Sequence, residues 1–262
     1  MSKRLMIIRA FTALLLCPLL GMGQPSNLIS SARTVDTGKV KETPGINTAS
    51  EPVGESAPLQ NPMVAPLFGE RAKTSAHIEW EIKFLNDCDQ NFGSRQEASQ
   101  FFATRAWDYL AEGQLDTAAN RFNLAWLLNE KNVDPYWGLG VVSYQRGQLP
   151  EAMQLLKKGL AVSDTNAVMI TDLATVQIQY FQEKQDSTML DEAAEWLDKS
   201  LRLNPNYANT HLRLSWIHFV RGQYAEAWER FHKARNLDLS TLDLNYLNQL
   251  LAKLPDPQGI FK

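Results

Sequence analysis

YWGLGVVSYQRGQLPEAMQLL, residues 136–156, decides the fold, because its key positions return at fixed distances along the chain. Ala152 is preceded by Ala118 and followed by Ala193 and Ala227. Leu156 corresponds to Phe122, Leu197 and Phe231. A third set is Ala125, Gly159, Ser200 and Ala234. The steps are 34, 41 and 34 residues, so one unit carries seven extra. Gly113, Gly147 and Gly222 keep the same register. A period of this size marks a solenoid, whose units each bury an apolar face only against their neighbours. Solenoids present extended surfaces, so the repeat points to binding rather than catalysis.

Each unit reads as a pair of helices. The spacing predicts helices over about 95–112 and 116–130, with Gly113 in the turn and Asp116 as a cap. A second pair covers about 134–146 and 150–162, with Pro150 in a first turn, where its missing N–H costs little. The third covers about 166–183 and 189–203. Its extra residues lie within 180–190, and seven residues are about two helical turns, so both helices can lengthen without rotating their faces. The fourth covers about 207–221 and 224–238. Ser94 with Glu97 forms a capping box that opens the first pair.

Two amphipathic helices flank the array. Ile78, Ile82 and Leu85 form a stripe on a helix expected over 75–91, with Ser75 as its cap. Leu244, Leu247, Leu250, Leu251 and Leu254 mark a helix at 242–254, placed to hide the last exposed face of the solenoid.

The N-terminus has the order of an export signal: Lys3 and Arg4, the apolar run Ala10 to Leu20, then Gly21-Met22-Gly23. Cleavage after Gly23 leaves 23 basic and 29 acidic residues, a formal charge of -6. An uncleaved anchor is the alternative, but Arg9 interrupts a run of only about 18 residues. No membrane insertion is expected after cleavage, and the mature chain is expected to be periplasmic or secreted. Residues 24–66 are rich in Ser, Thr, Pro, Gly and Ala and have no aromatic residue. Such a stretch buries too little to offset its ordering entropy and reads as a disordered spacer. The expected organisation is therefore signal (1–23), linker (24–66), docked helix (67–93), four repeats (94–241), and capping helix with tail (242–262).

Composition narrows the partners. The pI near 5.9 and the lack of a basic, aromatic-laced patch argue against nucleic acid. Cys88 is the only cysteine left after cleavage, and Asp87 and Asp89 disfavour its thiolate. His211 and His218 are too far apart on one helix to share a metal, and no zinc spacing or phosphate loop is present. No catalytic group, metal or cofactor is expected.

These residues resemble the tetratricopeptide repeat family. Tyr136-Trp-Gly-Leu139-Gly140, Gly147, Glu151-Ala152 and Leu156 carry the clearest match, followed by Leu214, Gly222-Gln-Tyr-Ala-Glu-Ala227, Phe231 and Ala234, and by Asn204-Pro205-Asn206-Tyr207 between units. Ser143 and His218 depart from the family's Tyr, and Glu130 and Asp164 from its unit-closing Pro. The resemblance implies an all-α helix-turn-helix solenoid, a right-handed α-α superhelix of about four repeats with an N-terminal helix and a C-terminal capping helix. It also implies a protein-binding scaffold whose concave groove is lined by the first helix of each pair. The matching face here carries Trp107, Trp137, Tyr144, Trp216 and Phe219 as candidate partner-binding residues, and it lacks the Lys and Asn set that clamps a C-terminal carboxylate. Two readings of that face stand. It binds a peptide or helix of a protein partner, or residues 75–91 or 242–254 already cover it. The expected function is an exported, non-catalytic adaptor. The alternatives are a regulatory subunit of an envelope enzyme complex and a self-associating structural solenoid.

Overall fold

The computed structural model describes residues 61–70 and 72–262. The expected signal, and the expected spacer up to residue 60, lie outside the described residues. Within them the chain forms ten α-helices and no strands. The helices are α1 Ser75–Asn91, α2 Arg95–Ala111, α3 Leu115–Leu128, α4 Val133–Gln145, α5 Leu149–Val162, α6 Ala167–Lys184, α7 Ser187–Leu203, α8 Ala208–Val220, α9 Tyr224–Leu237 and α10 Leu244–Lys253. Helices α2 to α9 pair in sequence, and each second helix packs on the first helix of the next pair.

Local chemistry explains the pairing. Gly113, Gly147 and Gly222 have φ of +76°, +75° and +74°. Each donates its N–H to the carbonyl three residues back, and the following Gln donates to the carbonyl five back. This left-handed closure occupies the free carbonyls of α2, α4 and α8 and turns the chain into the next helix. The third pair has no glycine there. Gln185 takes φ +58° instead, after α6 and α7 have grown to 18 and 17 residues, against 13 or 14 for the helices of the second and fourth pairs. The seven extra residues thus extend the hairpin beyond the shared core.

Two caps differ from the sequence reading. Thr74, not Ser75, caps α1 by accepting from the His77 N–H. Asp116 caps nothing and instead accepts from Arg146 at 2.5 Å. At α2 the Ser94 hydroxyl accepts from the Glu97 N–H, while the Glu97 carboxylate reaches back to the N–H of Gly93 rather than of Ser94.

The recurring small and large residues form the core. Ala118, Ala152, Ala193 and Ala227 are wholly buried, as are Phe122, Leu156, Leu197 and Phe231. Small side chains let paired helices approach closely, and the large ones fill the space beside them. Hydroxyls tie the third and fourth units together: Thr171, Ser200 and Thr210 lie within 2.8–3.0 Å of one another, all buried.

Order begins earlier than expected. Residues 61–66, placed in the spacer by composition, form a turn against α3. Leu67, Phe68, Gly69 and Glu70 then all take positive φ, at 51°, 56°, 75° and 49°. For the three non-glycine residues such backbone costs about 1–3 kcal/mol each. Burial of Leu67 and Phe68 offsets it, at roughly 1.5–3 kcal/mol per side chain. The segment is therefore an N-terminal strap rather than a linker.

Candidate functional site

Three of the first helices, α2, α4 and α8, carry the five candidate binding residues. The structure divides them. Trp107 and Trp137 are buried, at 5 % and 6 % exposure. Their rings meet edge to face at 5.1 Å, and Trp107 meets Phe122 at the same distance. The Trp137 indole N–H donates to Asp172 at 2.7 Å. These two tryptophans belong to the core between α2, α3 and α4, and their rings offer a partner little area. Tyr144, Trp216 and Phe219 are half-buried. Trp216 leans on Phe181, with ring centroids 6.4 Å apart. Phe219 stands between Tyr224 and Tyr246, at 5.7 and 5.6 Å.

The flanking helices differ in how they relate to this face. Phe84 and Cys88 of α1 cluster with Phe68, Phe102, Leu124 and Leu128, a group separate from Trp107 and Trp137. Helix α10 joins the cluster of α8 and α9 that includes Phe219 and Trp216. Tyr246 donates to or accepts from Ser215 at 2.7 Å, which seats α10 beside α8.

A polar seam runs through the same helices. The register that holds Gly138 in α4 holds Asp172 in α6 and Arg213 in α8. Asp172 and Arg213 are both buried. Arg213 Nε donates to Thr175 Oγ1 at 3.2 Å, and its Nη2 has no hydrogen-bond partner among the described residues. Burial holds its guanidinium below the usual arginine range, against the opposing influence of Tyr144, Asp172, Tyr207 and Asp243. Burial likewise raises the Tyr144 phenol. The seam thus holds a buried acid and a buried cation, Asp172 and Arg213, with the Tyr144 and Tyr207 phenols within electrostatic reach. Sequence reading missed Asp172 and Arg213. The available signal was a charge in mid-helix at a register held by glycine in the preceding unit.

Other reactive groups are accounted for by packing. Cys88 is pushed up to about 12 by burial and by Asp87 and Asp89. His211 is lowered by burial, and its Nε2 faces the Pro205 carbonyl at 2.8 Å. Among the described residues no group of His, Cys, Asp and Glu could hold a metal ion. No described helix is long and apolar enough to cross a membrane.

Comparison with known proteins agrees with this architecture. Residues 109–170, which run from the end of α2 through the second pair into α6, match the tetratricopeptide repeat model. The chain therefore carries tetratricopeptide repeat sequence and folds as a tetratricopeptide solenoid. A TPR repeat-containing protein of Methanocaldococcus jannaschii is 22% identical over 187 residues, covering 69% of this chain and 31% of its own length. Tetratricopeptide repeat protein 6 of Homo sapiens is 28% identical over 128 residues, covering 49% of this chain and 23% of its own. The chain thus spans under a third of the length of these relatives. Two solved structures share the fold. A thermophilic TPR protein of Thermus thermophilus superposes with a TM-score of 0.52 at 20% identity, covering 62% of this chain and 93% of that one. Pseudomonas aeruginosa PilF superposes with a TM-score of 0.53 at 22% identity, covering 63% and 74%. A tetratricopeptide fold suggests a scaffold for protein–protein interaction.

Proposed function

We propose that this repeat protein is an exported, non-catalytic adaptor that seats a peptide or helix of a protein partner on its first-helix face, between α4 and α8. The observation that carries the reading is the half-burial of Tyr144, Trp216 and Phe219 on helices that carry a buried polar seam. Large aromatic rings with partly open faces supply contact area at low entropic cost, and such residues dominate binding energetics. Trp107 and Trp137 support the face from beneath and are not part of the contact surface.

Tyr144→Ala and Trp216→Ala are each expected to weaken partner capture by roughly ten-fold or more, at about 2 kcal/mol per anchor. Helical content should stay intact. The measurement is cross-linking of tagged, full-length protein in its native cells, with circular dichroism of each variant. Capture that survives both substitutions in folded protein places the contact elsewhere.

Export is the second element of the proposal, supported by the order of charge, apolar run and small residues at the N-terminus. N-terminal sequencing of the protein recovered from cells is expected to start at Gln24, after removal of Gly23. A chain that starts at Met1 and stays in the cytosol contradicts it.

A further inference from the structure

Position five after the small residue of the second helix behaves differently at the ends and in the middle of the array. In the first and fourth units it is Asn123 and His232, both buried. In the inner units it is Lys157 and Asp198, both exposed. The terminal pair share a task. His232 meets Asp256 of the C-terminal tail at 2.7 Å. Asn123 holds the N-terminal strap, and it holds backbone. The Leu67 N–H donates to Asn123 Oδ1 at 2.8 Å, and Asn123 Nδ2 donates to the carbonyls of Met63 and Ala65 at 2.9 and 2.8 Å.

A buried carboxamide is costly unless all its groups are met, and here peptide backbone meets them. Such bonds suit any sequence, so selectivity must come from side chains. Leu67 and Phe68 supply it by entering two adjoining apolar clusters. The Glu70 carboxylate pairs with Lys158 of the next unit, and Arg146 donates to the Val64 carbonyl at 3.2 Å. The two basic side chains thus extend the grip from α3 to α5. Against this grip stand the positive φ angles of Leu67, Phe68 and Glu70. The Lys158–Glu70 pair is exposed and screened by salt. Strong recognition of a segment that is itself unfavourably bent describes a ligand held by its site, as in peptide grooves elsewhere.

We propose that the second-helix face of the first two units is a peptide-binding site centred on Asn123, distinct from the first-helix face. Its ligand is a short turned segment bearing an aliphatic residue, an aromatic residue, a glycine and an acid in succession. Residues 61–70 occupy it in cis through Leu67-Phe68-Gly69-Glu70. A partner with that chemistry binds by displacing the strap.

The test uses a fluorescent synthetic peptide with the sequence of residues 61–72 and the full-length chain. Wild-type protein is expected to bind it at least ten-fold more weakly than the Leu67→Ser/Phe68→Ser variant, whose own strap has lost its anchors. Adding Asn123→Leu to that variant should abolish binding, and a scrambled peptide should not bind. Binding that ignores Asn123, or no binding to a variant that keeps its helical signal, overturns the proposal. Loss of helical signal in the double variant also overturns it, because the strap would then be core. Hydrogen exchange on unaltered protein checks the same point: the Leu67 N–H should exchange ahead of the amides of α2 and α3, and simultaneous exchange is the contrary result.

Discussion

Asp256→Ala is expected to lower the melting temperature by roughly 10 °C, from a loss of about 3 kcal/mol at about 2–4 °C per kcal/mol for a domain of this size. The effect is large because one carboxylate organises the whole C-terminal tail. Asp256 Oδ1 accepts from the Gln258 N–H at 2.9 Å and from His232 at 2.7 Å. Its other oxygen accepts from the N–H groups of Ile260 and Phe261 at 2.8 and 2.9 Å. The bend so formed lays Phe261 parallel to His232 and Trp228, at 6.1 and 6.3 Å. The Trp228 indole N–H closes the latch on the Leu254 carbonyl at 2.9 Å. Alanine removes the shared acceptor, and the tail is expected to leave α9 as a unit.

The same group predicts a pH dependence. Burial alone would raise the Asp256 carboxyl, but the N–H groups of Phe261 and Gln258, His232 and the Ile260 N–H outweigh it and bring it down to about 2. A folded value below the unfolded one stabilises wherever the group is ionised in both states, that is, above about pH 4. That contribution, on the order of 2 kcal/mol, drains away as pH falls from about 4 to about 2. The gap between the melting temperatures of wild type and Asp256→Ala should therefore narrow across this window. A variant that melts within 2 °C of wild type at neutral pH, or a gap as wide at pH 2 as at neutral pH, contradicts the latch.

What the sequence revealed and what it hid follow from the same periodicity. The solenoid was legible because Ala118, Ala152, Ala193 and Ala227 obey one spacing rule that acts within each unit and between neighbours. The third unit stayed legible because seven residues leave helix faces in phase. The strap and the tail were hidden because they belong to no repeat. Composition even assigned residues 61–66 to a spacer, since a segment held mainly through its backbone needs few apolar side chains of its own. The signal was present in Asn123 and His232, two residues that break the exposed-charge pattern of Lys157 and Asp198. The aromatic face was legible only as a list of rings. Whether Trp137 is open or covered depends on how closely the neighbouring helices approach α4, and the approach of α3 is set by Gly138, whose importance no local rule announces.

Gly138→Ala is expected to destabilise the protein by about 2–4 kcal/mol, although alanine is the better helix former by about 1 kcal/mol. A Cβ at Gly138 would lie 2.0 Å from the Phe122 ring tip and 2.3 Å from both atoms beside it. Phe122 is wholly buried and has no free side to turn to, since Trp107 meets it edge to face at 5.1 Å and Trp137 backs Trp107. Helices α3 and α4 must therefore part, and the two tryptophans lose their packing with them. Gly140 gives the contrast. A Cβ there meets the Cγ of buried Leu156 at 2.8 Å, a smaller overlap, so Gly140→Ala should cost less. Phe122→Leu isolates the cause. By itself it leaves a cavity and destabilises. Combined with Gly138→Ala, it makes room for the new methyl, so the double variant should be more stable than the two separate losses imply, by 0.5–3 kcal/mol or so. Denaturant melts of the four proteins close the cycle. Strict additivity would mean that the clash is not what limits this position, and that α4 tolerates a side chain where the ring of Phe122 now rests on its backbone.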